Sequence, residues 1–258
     1  MSGEYLDIAR EGKVTVVTIN RPQSRNALNA AAHDELAACF DAFDADPEQW
    51  VAIITGAGDK AFCAGHDLKQ QASGGGLVTP ATGFGGLTLR EGRVKPVIAA
   101  VNGVAMGGGF ELALACDVIV AAATAMFALP EPRVGLAALA GGMHRLPREI
   151  GLKRAMGLML TGRRVSAAEG ERLGFVNEVA TGNVVDAARA WAAEMVACSP
   201  MSLRATRAAV TAGLALSPIE ATKRQWDLPA VRQMLESEDA VEGPAAFVAG
   251  RAPQWKGR

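Results

Sequence analysis

The stretch from Val97 to Ala121 limits what this chain can fold into more than any other. It opens with the β-branched, apolar run Val97 to Val101, passes through a glycine-rich turn from Asn102 to Gly109, continues as the apolar segment Phe110 to Cys116, and ends in a second run, Val118 to Ala121. Apolar runs this short, bounded by glycine and rich in branched residues, read as strands buried on both faces, and the segment between them reads as a short helix. Strand, turn, helix and strand in that order are the grammar of an α/β domain. The apolar region reaches Pro130, but Asn102, Glu111, Asp117 and the glycine cluster interrupt it well before a bilayer is crossed, so no membrane span is predicted.

The flanking sequence extends this pattern in both directions. Val14 to Asn20 alternates as a strand that Arg21-Pro22 ends, and Asn29 is placed to cap a helix whose stripe is Leu36, Cys39, Phe40 and Phe43 and whose end falls near Asp46-Pro47. Trp50 to Gly56 is a further buried strand. Ala72 to Gly92 holds seven glycines with no sustained period and reads as a loop around at most one short helix, a candidate lid. Beyond it come a helix from Leu152 to Leu160 stopped by Gly162, a capping box at Ser166 and Glu169, and a last strand from Phe175 to Val179. From Val184 onward the pattern is helical, with breaks at Pro200, Pro218 and Pro229. The change of pattern near residue 195 divides a core, 1–195, from a C-terminal helical region, 196–258.

The 258 residues are half apolar, enough for a sizeable core, and 26 basic against 27 acidic side chains leave no overall field to gather nucleic acid or an anionic membrane. Cys39, Cys63, Cys116 and Cys198 form no CxxC pair and read as reduced packing residues. The first ten residues carry acids and no apolar segment, so neither a signal nor a transit peptide is expected and the location is read as cytoplasmic.

Three segments carry chemistry-bearing groups. Gly56-Ala57-Gly58-Asp59-Lys60-Ala61 matches a dinucleotide fingerprint by its letters, but Phe62-Cys63-Ala64-Gly65 follows instead of a helix, and that reading is rejected. Gly107-Gly108-Gly109 at the mouth of a helix lets the backbone approach a ligand, with free amides suited to a phosphate or a developing oxyanion. Glu111 lies in the first turn of that helix, where the dipole alone is reason enough for a carboxylate. Glu131 follows the apolar run Phe127-Ala128-Leu129-Pro130, where desolvation raises its proton affinity unless it lies on an exposed loop.

Together these residues resemble the enoyl-CoA hydratase/isomerase, or crotonase, superfamily over almost the whole chain. The resemblance rests on Arg21-Pro22 with Asn26-Ala27-Leu28, on Ala61 to Leu68, on Lys95 to Gly103, on Gly107 to Ala113, on Cys116-Asp117 and on Leu160 to Arg163. Glu242-Gly243-Pro244 and Trp255 to Arg258 look most like the carnitinyl-CoA dehydratase branch. The resemblance implies an α/β crotonase fold, repeated β-β-α turns in a right-handed superhelix, with a C-terminal helical region that packs subunits into trimers or hexamers. It implies an acyl-CoA thioester as substrate and partner, and no cofactor, coenzyme A being part of the substrate.

By the same resemblance, the backbone amides of His66 and Gly108 form an oxyanion hole for the thioester oxygen. Glu111 and Glu131, 20 positions apart as in the family, are the acid/base pair, and keeping both favours adding or removing water. Coenzyme A is expected across Arg25, Ala27, Ala64, Asp67 and Leu68, with Gly107, Gly108 and Leu139 along the acyl group and Lys256 near the nucleotide end. His66 stands where an alanine is common, and no metal-ligand partner accompanies it, so no metal is expected. Ala138 and Leu139 replace a proline and a small or polar residue, which points to a more apolar acyl pocket.

Overall fold

The computed structural model describes residues 3–67 and 79–258. Two sheets organise the chain. The larger runs β1 (Leu6–Glu11), β2 (Val14–Ile19), β3 (Val51–Gly56), β5 (Val97–Val101), β7 (Val118–Ala122), β10 (Glu178–Ala180), and all neighbours except the β1–β2 hairpin are parallel. The smaller runs β4 (Ala61–Cys63), β6 (Val104–Met106), β8 (Met126–Ala128), β9 (Val165–Ser166), parallel except for its last pair. Successive passes therefore give one strand to each sheet: β3 with β4, β5 with β6, β7 with β8.

Helix α1 (Ala30–Ala45) starts where the sequence places it, because the Asn29 side chain accepts from the Ala32 N–H at 2.9 Å. Its last carbonyls are closed by Lys95, whose Nζ donates to Phe43 O at 2.7 Å and Asp46 O at 2.6 Å. The next helix, α2 (Gly108–Leu114), buries Phe110 and Leu112. Phe110, Phe127 and Phe175 pack with ring centroids 5.1 to 5.2 Å apart, so Phe127→Ala is expected to cost about 3–5 kcal/mol. A urea unfolding curve reads this as a lower midpoint at unchanged slope.

After α3 (Gly142–Ile150), α4 (Leu152–Thr161) and α5 (Ala167–Leu173), the helix α6 (Val184–Val196) covers the larger sheet with Val184, Ala188 and Ala192. Helices α7 (Pro200–Gly213), α8 (Pro218–Arg224) and α9 (Pro229–Glu236) each begin on the proline read as a break, which occupies a first-turn position where no N–H is needed. The last helix is α10 (Glu238–Val248), and among the described residues no helix is long and apolar enough to cross a membrane.

Several expectations shift. The turn read from Asn102 to Gly109 contains strand β6, and the helix after it begins at Gly108 rather than Phe110 and ends at Leu114. The last strand lies at Glu178–Ala180, because the chain after Gly174 turns back on α5: the Phe175 and Val176 N–H groups donate to Gly170 O and their side chains pack on Gly170 instead of extending. Cys39 and Cys63 are buried, but Cys198 is exposed, one turn past the sheet-facing stripe of α6. The basic tail is pinned to the helices: Asp239 accepts from the backbone of Lys256 at 2.7 Å, and Trp255 Nε1 donates to Ala197 O at 2.8 Å. Within the segment read as a lid, Leu77, Val78 and residues 72–76 lie outside the described residues, and Phe84–Gly86 forms one short helical turn as anticipated.

Candidate active site

The motifs around Asn26 and Gly65 are adjacent because the loop between β2 and α1 is laced to the segment after β4. Asn26 is fully buried in the left-handed region, and its Nδ2 donates to Ala57 O at 3.0 Å and Ala61 O at 2.7 Å. A parallel bridge joins Leu28 to His66 through the Leu28 N–H on Gly65 O and the Asp67 N–H on Leu28 O, each at 2.9 Å. That pairing occupies the groups on either side of His66 and leaves its own N–H turned away from Leu28. Among the described residues neither the His66 nor the Gly108 N–H has a hydrogen-bond partner. Gly65, at φ +94°, brings the two together: a Cβ there would stand 2.8 Å from Met106 O and 3.3 Å from Gly108 N.

These amides open onto a cavity of about 450 Å³, within the range of small-molecule sites. Ala64, His66, Gly107, Gly108, Glu111, Glu131 and Leu139 all line it. Glu111 is buried, and its Oε1 accepts from the Gly142 N–H at 2.8 Å, at the first residue of α3. Burial pushes the Glu111 carboxyl up to about 7; the Gly142 N–H opposes this, and the Glu131 charge adds to it. Burial raises Glu131 as well, and its Oε2 is closed off without a hydrogen bond. Gly107, at the entrance to α2, stands at φ 55° and ψ −127°, a conformation that calls for glycine, and a Cβ there would meet Glu131 Oε1 at 2.9 Å. The two carboxylates thus share one cavity with the amide pair, and a singly protonated pair is the state their mutual repulsion favours.

Other anticipated contacts lie outside the cavity lining. Ala27 is buried behind it with its carbonyl bound to Arg21, and Asp67 pairs with Arg21 at 3.1 Å. Arg25 is exposed, in the left-handed region at φ 52°, on the loop that carries Asn26. Lys256 is exposed on the pinned tail, and Leu68 lies outside the described residues. Leu139 reaches the cavity while 71% exposed, whereas Ala138 is buried in the core beside it. Among the described residues no three His, Cys, Asp or Glu side chains group as metal ligands.

Reading the sequence alone missed much of the wall. Phe84, Thr88 and Leu89 form one side, Met106 and Val134 others, and the ring of His66 stacks on His33 with centroids 5.9 Å apart. The Gly142 amide that holds Glu111 belongs to Gly141-Gly142, a helix-opening pair legible only as glycine.

Residues 9–258 match the sequence profile of the enoyl-CoA hydratase/isomerase family. This chain belongs to that family. It is 44% identical to the mevalonyl-coenzyme A hydratase SIDH of Beauveria bassiana, over 94% of this chain and 91% of that one. It is 42% identical to the carnitinyl-CoA dehydratase of Escherichia coli (strain K12), over 99% of both. Among solved structures it is similar to the enoyl-CoA hydratase of Mycobacterium tuberculosis H37Rv, at 40% identity and a TM-score of 0.93, over 99% of this chain and 100% of that one. The α/β crotonase fold anticipated from the motifs is thus the fold of this family member.

The family motifs outside the cavity are structural ties. Asp117 accepts from Val97 N at 2.8 Å and from Arg93 at 2.6 Å, and Asn102 joins the β3 and β5 ends through Gly56. Gly162 ends α4 at φ 58°, and the Thr161 carbonyl before it accepts from Arg133 Nε at 3.1 Å, beside the turn that carries Glu131.

Proposed function

We propose that this protein reversibly adds water across the 2,3 double bond of an enoyl-CoA thioester, with no cofactor beyond the substrate's own coenzyme A. The meeting of two carboxyl groups of raised proton affinity with an unpartnered amide pair in one cavity carries this reading. The His66 and Gly108 N–H groups polarise the thioester oxygen as negative charge develops there. Glu111 takes a proton from water attacking the β-carbon, Glu131 delivers one to the α-carbon, and dehydration reverses the roles. Isomerising a double bond needs one proton shuttle, so two carboxylates favour water chemistry. Coenzyme A runs along Arg25, Ala64 and Asp67, with Arg25 and Lys256 available to its phosphates.

Mixing the protein with crotonyl-CoA and following the conjugated thioester absorbance tests the activity, and mass analysis separates hydration from isomerisation. The active form holds one proton on the pair, so kcat/KM is expected to be bell-shaped, rising as the pair loses its first proton and falling as it loses its second, with one limb near pH 7 where Glu111 titrates. Hydration changes no net proton count, so the dehydration profile has the same shape. A flat profile from pH 6 to 9 would remove the carboxylate pair from the mechanism.

Apolar side chains on the C-terminal helices support self-association as a trimer or dimer of trimers through residues 196–258. Phe247 and Val248 are each 87% exposed, and Val241 and Ile219 are more than two-thirds exposed. Light scattering is expected to give three or six times the chain mass, and Phe247→Asp with Val248→Asp a lower one. A monomer before substitution contradicts the assembly.

A further inference from the structure

Glu111 is held from behind by a turn that a residue outside the cavity lining closes. Its Oε1 accepts from the Gly142 N–H, and the Ala140 N–H also favours its ionised form. Both amides belong to the turn that enters α3, with Gly141 in the left-handed region at φ 103°. Arg145, one turn along α3, folds back over it. Its Nη1 donates to Ala140 O at 3.3 Å, and a Cβ on Gly141 would collide with that nitrogen. Its Nη2 donates to Thr88 O at 2.7 Å, so one guanidinium ties the turn to the Thr88 wall of the cavity.

Those two bonds do not explain why the side chain is charged. An uncharged amide carries enough donors for two carbonyl oxygens, and burial of a half-buried guanidinium works against its charge. The carboxylate that favours that charge is Glu111; Arg93 opposes it but is itself paired with Asp117 at 2.6 Å.

We propose that Arg145 is a positioning residue for the hydration: it fixes the turn whose amides grip Glu111, and it places a positive charge behind the carboxylate that takes the proton from water. The proposal rests on the hydratase reading. A nearby cation favours the ionised carboxylate, so removing it leaves the proton on Glu111 to higher pH. Of the other groups around Glu111, only Glu131 titrates with it, and it does so in every variant. Arg133, also on the cavity wall, stays cationic. Burial keeps His33 and His66 neutral and pushes the Cys63 and Cys116 thiols up to about 12.

The test follows crotonyl-CoA hydration against pH in three variants. Arg145→Met loses both the bonds and the charge: kcat is expected to fall about a hundredfold, as for a misplaced base, with KM little changed. The limb near pH 7 is expected to move to higher pH. Arg145→Gln keeps amide donors and loses the charge, so the same limb moves with a smaller loss of kcat. Arg145→Lys keeps the charge and is expected to return the limb to its wild-type position. A residue that only braces the fold would lower kcat and leave the limb unmoved; that result in Arg145→Gln overturns the proposal, as does a change confined to KM. If Arg145→Met does not fold, the Gln and Lys variants decide alone. If the unaltered protein does not hydrate crotonyl-CoA, the hydratase reading has failed. Carbon-13 NMR titration of Glu111, assigned by its loss in Glu111→Gln, then decides the rest. Titration at higher pH in Arg145→Gln but not in Arg145→Lys upholds the hold on Glu111, and unchanged titration overturns it.

Discussion

Glu111→Gln is expected to lower the rate of hydration by about a hundred- to ten-thousandfold while making the protein more stable at pH 8. The two effects share one cause. Burial raises the Glu111 carboxyl from the ordinary 4.5 to about 7, so the folded chain holds a proton that the unfolded chain has released. Below 4.5 both states are protonated, and the folded state gives up nothing. As pH rises from there toward 7, stability falls, and above 7 the folded protein carries a buried anion whose cost is fully felt. Gln removes that penalty, worth up to about 3 kcal/mol, and its carbonyl still accepts from the Gly142 N–H. Thermal unfolding of both proteins at pH 4.5 and pH 8 measures this, with the gap opening only at the higher pH. Equal melting temperatures at pH 8 would mean that the carboxylate costs the fold nothing.

Gly65→Ala is expected to reduce kcat by about a hundred- to a thousandfold, the loss that follows removal of one oxyanion donor. The added methyl would lie 2.8 Å from Met106 O and 3.3 Å from Gly108 N, both backbone atoms that cannot rotate aside. Relief comes only by parting the turn that bears the His66 amide from the start of α2. Gly92→Ala separates this from the general strain of a side chain at positive φ, since Gly92 sits at φ +70° with open space around it. That control is expected to keep kcat and lose only stability. Full activity in Gly65→Ala would show that the two amides need not be held together.

What the sequence discloses in advance follows from the range of the interactions. Asn29, Ser166 and the prolines opening α7, α8 and α9 mark helix starts through contacts within a few residues, and the strands Val51–Gly56 and Val97–Val101 announce themselves by continuous burial. Strands of two or three residues, β4, β6, β8 and β9, are too short to show a period and exist only because neighbours pair with them. At the site, the glycines and both glutamates are legible because the backbone must pass close to something there. The wall formed by Phe84, Thr88 and Leu89 is not, since an apolar or hydroxyl side chain facing a cavity looks in sequence like one facing the core. The stack of His33 on His66 joins α1 to the turn after β4, and no local pattern announces it.

The most direct test is a crystal structure with butanoyl-CoA, a saturated thioester that binds and cannot react. Its carbonyl oxygen should lie within hydrogen-bonding distance of both the His66 and Gly108 nitrogens, with one water held between Glu111 and Glu131 over the β-carbon. A thioester oxygen bound elsewhere, or carboxylates on opposite sides of the acyl chain with no shared water, would contradict the mechanism.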